Sequence, residues 1–155
     1  MATARIAANR TKHVTVGSDK VVEGDSGGKI KHVFDSYTLP AAILAVNDTI
    51  DIFEIPVGAR IVEATISCIS LGTTGIMDLG WTASTNGTTV ADANGFIAAS
   101  DAGGQAVTTQ MTAQLAMPGF LKKFDNAGCV IQLIATEAST ETAVVINFSI
   151  SYVID

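Results

Sequence analysis

With 155 residues, 48% of them apolar and 15% charged, the chain can form one domain that buries about 70% of its unfolded surface, and intrinsic disorder is excluded. No apolar run reaches the roughly 18 residues of a membrane-spanning helix, and Met1 to Arg10 lacks the apolar core of a secretory leader, so neither is expected. The net charge of −6 is unevenly placed: residues 1–35 carry six Lys/Arg against four acids, and residues 36–155 carry three against eleven.

A weakly basic arm over residues 1–35 is therefore expected to precede an acidic body over residues 36–155. Ala2 to Asn9 has some helical character but is too short to hold a helix alone. Val14, Val16, Val21 and Val22 suggest one or two short strands around a flexible turn at Gly24 to Gly28. Lys29 to Phe34 alternates, placing Ile30, His32 and Phe34 opposite Lys29, Lys31 and Val33. In the body, Tyr37 to Val46 is mostly apolar, with Pro40 demoting its start to an edge or bulge, and Asn47-Asp48 turns the chain.

Thr49 to Ile55 alternates, with Ile50, Ile52 and Glu54 set against Asp51, Phe53 and Ile55. Pro56 to Ala59 is a tight connection. Arg60 to Leu71 is a strong strand, with Ile61, Glu63, Thr65, Ser67 and Ile69 opposing Val62, Ala64, Ile66 and Cys68. Ile76 to Trp81 is another, closed by the Asn86-Gly87 turn signal. Ala91 to Ser100, rich in Ala and Asp, suggests a short helix. Gln105 to Ala116 and Phe120 to Phe124 read as strands. Cys129 to Thr136 and Ala143 to Ile154 read as a final hairpin.

The last segment carries the clearest signal. Val144, Ile146, Phe148, Ile150, Tyr152 and Ile154 alternate with Val145, Asn147, Ser149, Ser151 and Val153, the period of a strand with one buried face. About eight strands with turn signals between them predict an all-β fold: an antiparallel β-sandwich, jelly-roll-like, with an extended N-terminal arm.

Catalytic signatures are scarce. No nucleophile elbow, phosphate-cradling glycine loop or His-Glu-x-x-His motif occurs, and His13 and His32 are expected to be solvated or interface residues. Asp48 with Asp51, and Asp78 with Asp92 and Asp101, are the carboxylate sets to check as acid pairs or calcium ligands; solvated loop acids are the plainer expectation. Trp81, Tyr37 and Tyr152 are candidates for a sugar site, with core or interface as the alternative. Cys68 and Cys129 read as buried free thiols, with a disulfide between facing strands as the alternative; neither has metal-ligand spacing. The Asn-x-Ser/Thr triplets at Asn9, Asn47, Asn86 and Asn147 do not imply glycosylation. The reading is of a non-enzyme with no catalytic residue, no cofactor and no metal. Asp19, Glu23 and Asp25 interrupt the arm's positive charge, so no nucleic-acid partner is expected either.

The run from Asn47 to Val62 (NDTIDIFEIPVGARIV) resembles a pattern in small structural proteins of tailed bacteriophages. There a strand, a Pro-x-Gly-Ala turn and a second strand lead to a Leu-Gly-aromatic strand, here Leu79-Gly80-Trp81. An Asp/Ala-rich segment follows, here Ala91 to Ser100, and the alternating final strand is similar. The resemblance covers about residues 38–155. It implies a capsid decoration (cement) or other head protein, often trimeric, bound over junctions between major capsid subunits.

An arm that cannot build its own core would then lend extended segments to a neighbouring sheet edge, its cations facing acidic patches. The residues expected at the subunit or capsid interface are Arg5, Ile6, Arg10, Lys12, Val14, Val16, Lys29, Lys31 and Phe34. The expected partners are the major capsid protein and further copies of the chain, with a trimer favoured and no membrane. The expected location is the virion's capsid surface, after synthesis in the host cytoplasm. The alternative is a receptor- or glycan-binding sandwich of a fibre or tail; an RNA-packaging coat protein or a hydrolase fits less well.

Overall fold

The structure is a computed structural model that describes residues 4–6, 30–72, 74–101, 107–111 and 118–154. Among these the chain forms ten strands and no helix: β1 (Ala4–Ile6), β2 (Lys31–Thr38), β3 (Thr49–Glu54), β4 (Ala59–Cys68), β5 (Ile76–Trp81), β6 (Asp92–Asp101), β7 (Val107–Gln110), β8 (Lys123–Phe124), β9 (Val130–Ala135) and β10 (Val145–Ile154). They build two sheets. Sheet A has the order β1-β3-β9-β5-β6, and sheet B the order β2-β10-β4-β7, with β8 also paired to β4. All pairings are antiparallel except that of β1 with β3, which is parallel.

The inner faces of the sheets meet in one core. Ile50, Phe53, Leu79, Ile131 and Leu133 of sheet A face Ile61, Ile66, Phe148, Ile150 and Tyr152 of sheet B. Ring contacts tie the layers together: Phe53 meets Tyr152 at 5.4 Å, and Trp81 meets Phe124 edge-on at 5.4 Å. Such tilted and edge geometries suit the ring quadrupoles. At one side Ser100 of β6 and Thr109 of β7 share a hydrogen bond of 2.7 Å. The edge strands β1 and β2 fall on the opposite side.

The final strand follows its alternation up to Tyr152: Val144, Ile146, Phe148, Ile150 and Tyr152 are buried and Val145 is exposed. It departs from it at Ile154, which is exposed at the strand's end, and at Ser151, which is buried. The Pro56 connection is a turn closed by the Ala59 N–H on the Pro56 carbonyl, with Gly58 at φ 83°, a conformation that glycine adopts without strain. Asn47, at φ 69°, turns the chain into β3.

Several expectations are corrected, each for a physical reason. Ala4 to Ile6 is a strand rather than the start of a helix, because the β3 edge supplies a ladder that three residues cannot supply for themselves. β3 alternates only up to Ile52. A bulge puts Ile52 and Phe53 side by side, so Ile50, Ile52, Phe53 and Ile55 are all buried. β4 carries a second bulge where Ser151 pairs with Glu63 but Tyr152 pairs with Ile61. Val62 is the extra residue, and Ile61 joins Ala64, Ile66 and Cys68 on the inner face instead of Glu63 and Thr65.

In β2 the inward residues are Val33 and Asp35, whereas Ile30, His32 and Phe34 point outward. Register decides this: Val33 pairs with Ile150 and Asp35 with Phe148, and directly opposed residues share a face. Residues 39–48 are irregular after β2 ends at Thr38. Asp92 to Asp101 is a strand, not a helix. Gly80 and Gly95 let β5 and β6 approach so closely that a Cβ on either would collide with the Asp92 carbonyl or the Trp81 ring. Finally, β9 and β10 form no hairpin: β9 pairs with β3 and β5, and β10 with β2 and β4, so residues 136–144 cross from one sheet to the other.

Candidate interaction surfaces

The outer face of sheet B is a field of small hydroxyls and amides. One row crosses four strands as Ser36, Asn147, Ser67 and Thr108, the last two sharing a hydrogen bond of 3.0 Å. The next row begins with Phe34 beside Ser149 and Thr65. Below it, His32, Ser151 and Glu63 stand side by side. Ser151 Oγ donates to Glu63 Oε2 at 3.2 Å and contacts His32 Nδ1 at 3.0 Å; Ser149 Oγ lies 3.2 Å from Nε2. A serine hydroxyl has one proton. With that proton directed at Glu63, the contact with Nδ1 has the imidazole N–H donating to Ser151.

This order is wrong for a nucleophile. A hydrolytic triad needs the imidazole between serine and carboxylate, where it can take the serine's proton. Here serine sits between them, is buried, and donates its hydrogen bond to the acid rather than to the imidazole. The arrangement braces three strands.

The carboxylate sets do not converge. Asp48 is buried and accepts the Ala45 N–H at 3.0 Å, closing the turn before β3. Asp51 accepts from Gln132 Nε2 at 2.7 Å on sheet A. Asp92 and Asp101 stand at opposite ends of β6, and Asp78 lies on β5 opposite Ile134. Among the described residues no three His, Cys, Asp or Glu side chains are grouped to hold a metal ion. Trp81 and Tyr152 are buried in the core. Trp81 donates to the Val90 carbonyl at 3.0 Å, and the Lys122 ammonium sits 5.1 Å above its ring.

The body's three cations gather at one corner. Arg60 pairs with Lys123 in register and donates to the Leu121 carbonyl at 3.0 Å, with Lys122 next in the chain. Lys123 also meets Asp125 at 3.2 Å, an exposed pair that adds little stability.

The expected interface residues divide into two groups. Arg5 and Ile6 lie in β1, at the register positions of Ile50 and Asp51 on the sheet A edge. Lys31 and Phe34 lie in β2, at the sheet B edge, with Phe34 exposed. Both edges are on one side of the sandwich. Arg10, Lys12, Val14, Val16, Lys29 and His13 lie outside the described residues. Sequence reasoning missed the hydroxyl face of sheet B; its rows join residues more than 100 positions apart, and alternation in each strand was the one available signal.

Cys68 and Cys129 are free thiols, both buried. Burial pushes Cys68 from its ordinary 9.0 up to about 11. Burial also raises Cys129, partly offset by a hydrogen bond with Thr89 and by the Lys122 charge. Neither thiol should react with a soluble disulfide reagent at pH 8 until the protein is unfolded. The sign for stability follows from linkage. Between about pH 9 and pH 11 the unfolded chain releases the Cys68 proton first, so stability should fall as pH rises through that window. Buried Tyr152, raised above 10, adds to the loss at the upper end. Thermal melts from pH 8 to 11 check this; a flat profile together with fast thiol labelling would contradict it.

Among the described residues no helix is long and apolar enough to cross a membrane. No family model matches the chain, and no curated protein does. Solved structures do. A chain in the capsid of Ralstonia phage GP4 superposes with a TM-score of 0.73 at 16% identity, over 99% of both chains. A chain in the capsid asymmetric unit of cyanophage Pam1 gives 0.63 at 14% identity, over 86% of this chain and 91% of that one. The fold is shared with chains of phage capsids. At these identities the likeness is one of backbone architecture, and it runs from end to end in the Ralstonia phage case.

Proposed function

We propose that this chain is a phage virion structural protein that binds the outer surface of a capsid and cements neighbouring capsid subunits, its N-terminal arm contacting adjacent subunits. The observation that carries the reading is the match to a capsid chain over 99% of both lengths. The strand order supports it as a jelly roll: successive strands from β2 onward alternate between the sheets except at β5–β6 and β7–β8, giving a rigid block with two Greek keys. The partner is the major capsid protein, and the chain acts as a homotrimer on the particle. The role is a non-enzymatic one, without cofactor, nucleic acid or membrane. The location is the virion surface, after synthesis in the host cytoplasm.

The surfaces suit that work. A wide hydroxyl- and amide-bearing face, whose Glu63 is hydrogen-bonded to Ser151, can be desolvated against protein at moderate electrostatic cost if each hydroxyl finds a partner. The corner formed by Arg60, Lys122 and Lys123 gives an otherwise acidic body a distinct end that steers it in one orientation. Adding the purified chain to particles assembled without it should give saturable cosedimentation and a higher temperature of genome release. Absence of binding to any form of the shell would contradict the proposal.

A further inference from the structure

The β1–β3 pairing stands apart from the rest of the fold. It is the one parallel ladder among the described residues, it is three residues long, and it sits at a sheet edge. Twenty-four residues separate Ile6 from Lys31, where connections inside compact domains usually run about 2–6. Extended, that length spans up to about 80 Å. It is enough to reach a neighbouring molecule of this size from either end of the sandwich.

Charge points the same way. The arm carries six cations against four acids, and the body three against eleven. Asp51 lies in the stretch of β3 that takes β1, and Asp78 lies on the same sheet two strands away. The arm of a second copy offers the same strand and the same basic charge to this acidic edge as the chain's own arm does, and the long connection lets it arrive.

We propose that β1 is exchanged between copies, so that the N-terminal strand of one protomer occupies the Thr49–Asp51 edge of the next. The inference rests on the reading above in that it names the partner of the arm. Exchange replaces a contact within one molecule by the same hydrogen bonds between two, which is a low-cost route to an oligomer. Repeated head to tail, it closes a ring when the rotation from copy to copy closes. On a shell surface the high local concentration of copies favours it further. It also meets the β3 edge with a paired strand, so that edge is not left to recruit other chains.

The test uses two single-cysteine variants of the full chain, Ala4→Cys and Thr49→Cys, whose positions are opposite each other in the ladder. One carries a mass tag. The two are unfolded together, refolded without any capsid, and oxidised. The native thiols are buried, so the wild-type protein treated in the same way reports their background. Exchange predicts a disulfide-linked heterodimer in most of the mixed molecules, and covalent closed oligomers from the Ala4→Cys/Thr49→Cys double variant. A double variant that closes only within single chains, with no heterodimer from the mixture, overturns the proposal. So does the absence of a disulfide in both. If Thr49→Cys fails to fold, Ile6→Cys with Asp51→Cys tests the same ladder two residues along. Because no capsid is present, closure within one chain would overturn exchange alone and leave the capsid reading standing. Linked oligomers that do not bind particles would contradict the capsid reading alone.

Discussion

Replacing Phe148 by alanine should lower the unfolding free energy by about 3–5 kcal/mol, measured by urea denaturation at a fixed protomer concentration. Phe148 is 1% exposed, at the middle of the longest ladder in sheet B, between Asp35 on β2 and Ile66 on β4. Its ring fills space that two fixed sheets cannot close over. The loss therefore combines the transfer of the ring to water with the cavity left behind. Both neighbouring strands take their register from β10, so a void there loosens two ladders at once. A loss below about 1 kcal/mol would mean that Phe148 is not at the centre of the core.

Deleting residues 1–29 should abolish stable attachment to particles while moving the melting temperature of the remaining chain by no more than about 5 °C. The cut stops at residue 29 because Lys31 to Thr38 is a full strand of sheet B. A deletion of the whole 1–35 stretch would remove most of β2, Val33 included, and uncover Phe148. What is lost at the β3 edge is a three-residue ladder, whose hydrogen bonds exchange for water at about 1 kcal/mol each. The core residues of β2 to β10 are all retained. Cosedimentation with particles, run beside a thermal melt, checks both halves. Full attachment of the truncated chain would show that the arm does not hold it to the shell. A collapse of the melt would show that the arm is part of the body.

The elements most legible in the sequence are those in which period, turn chemistry and burial agree. β10 announces itself by alternation from Val144 to Tyr152, and the β3–β4 turn by Pro56 and Gly58. Faces were legible only as far as the first bulge. Ile52 and Val62 are each one residue too many for their partner strand, and nothing local marks them, because both flanking phases offer an apolar residue. The alternation of β2 was legible, but which of its faces turns inward was not, because that is set by its register with β10. The Asp92 to Asp101 segment has helix-forming residues, yet Gly80 and Gly95 fit it against β5 and Trp81. The pairing of β9 and β10 with different sheets could not be read either, since a nine-residue link suits a hairpin or a crossing equally well. The surface features follow the same rule. Arg60 and Lys123 are 63 positions apart and become neighbours only through the ladder of β4 with β8.

The central claim is that this sandwich covers a capsid surface in regular array. Its most direct test is the number of copies per particle, measured by quantitative mass spectrometry of purified virions against the major capsid protein. Cementing predicts copies on the order of hundreds, in a fixed ratio to the major capsid protein set by the symmetry of the shell. A few dozen copies or fewer would place the chain at a vertex, tail or fibre, and none at all would contradict the structural role.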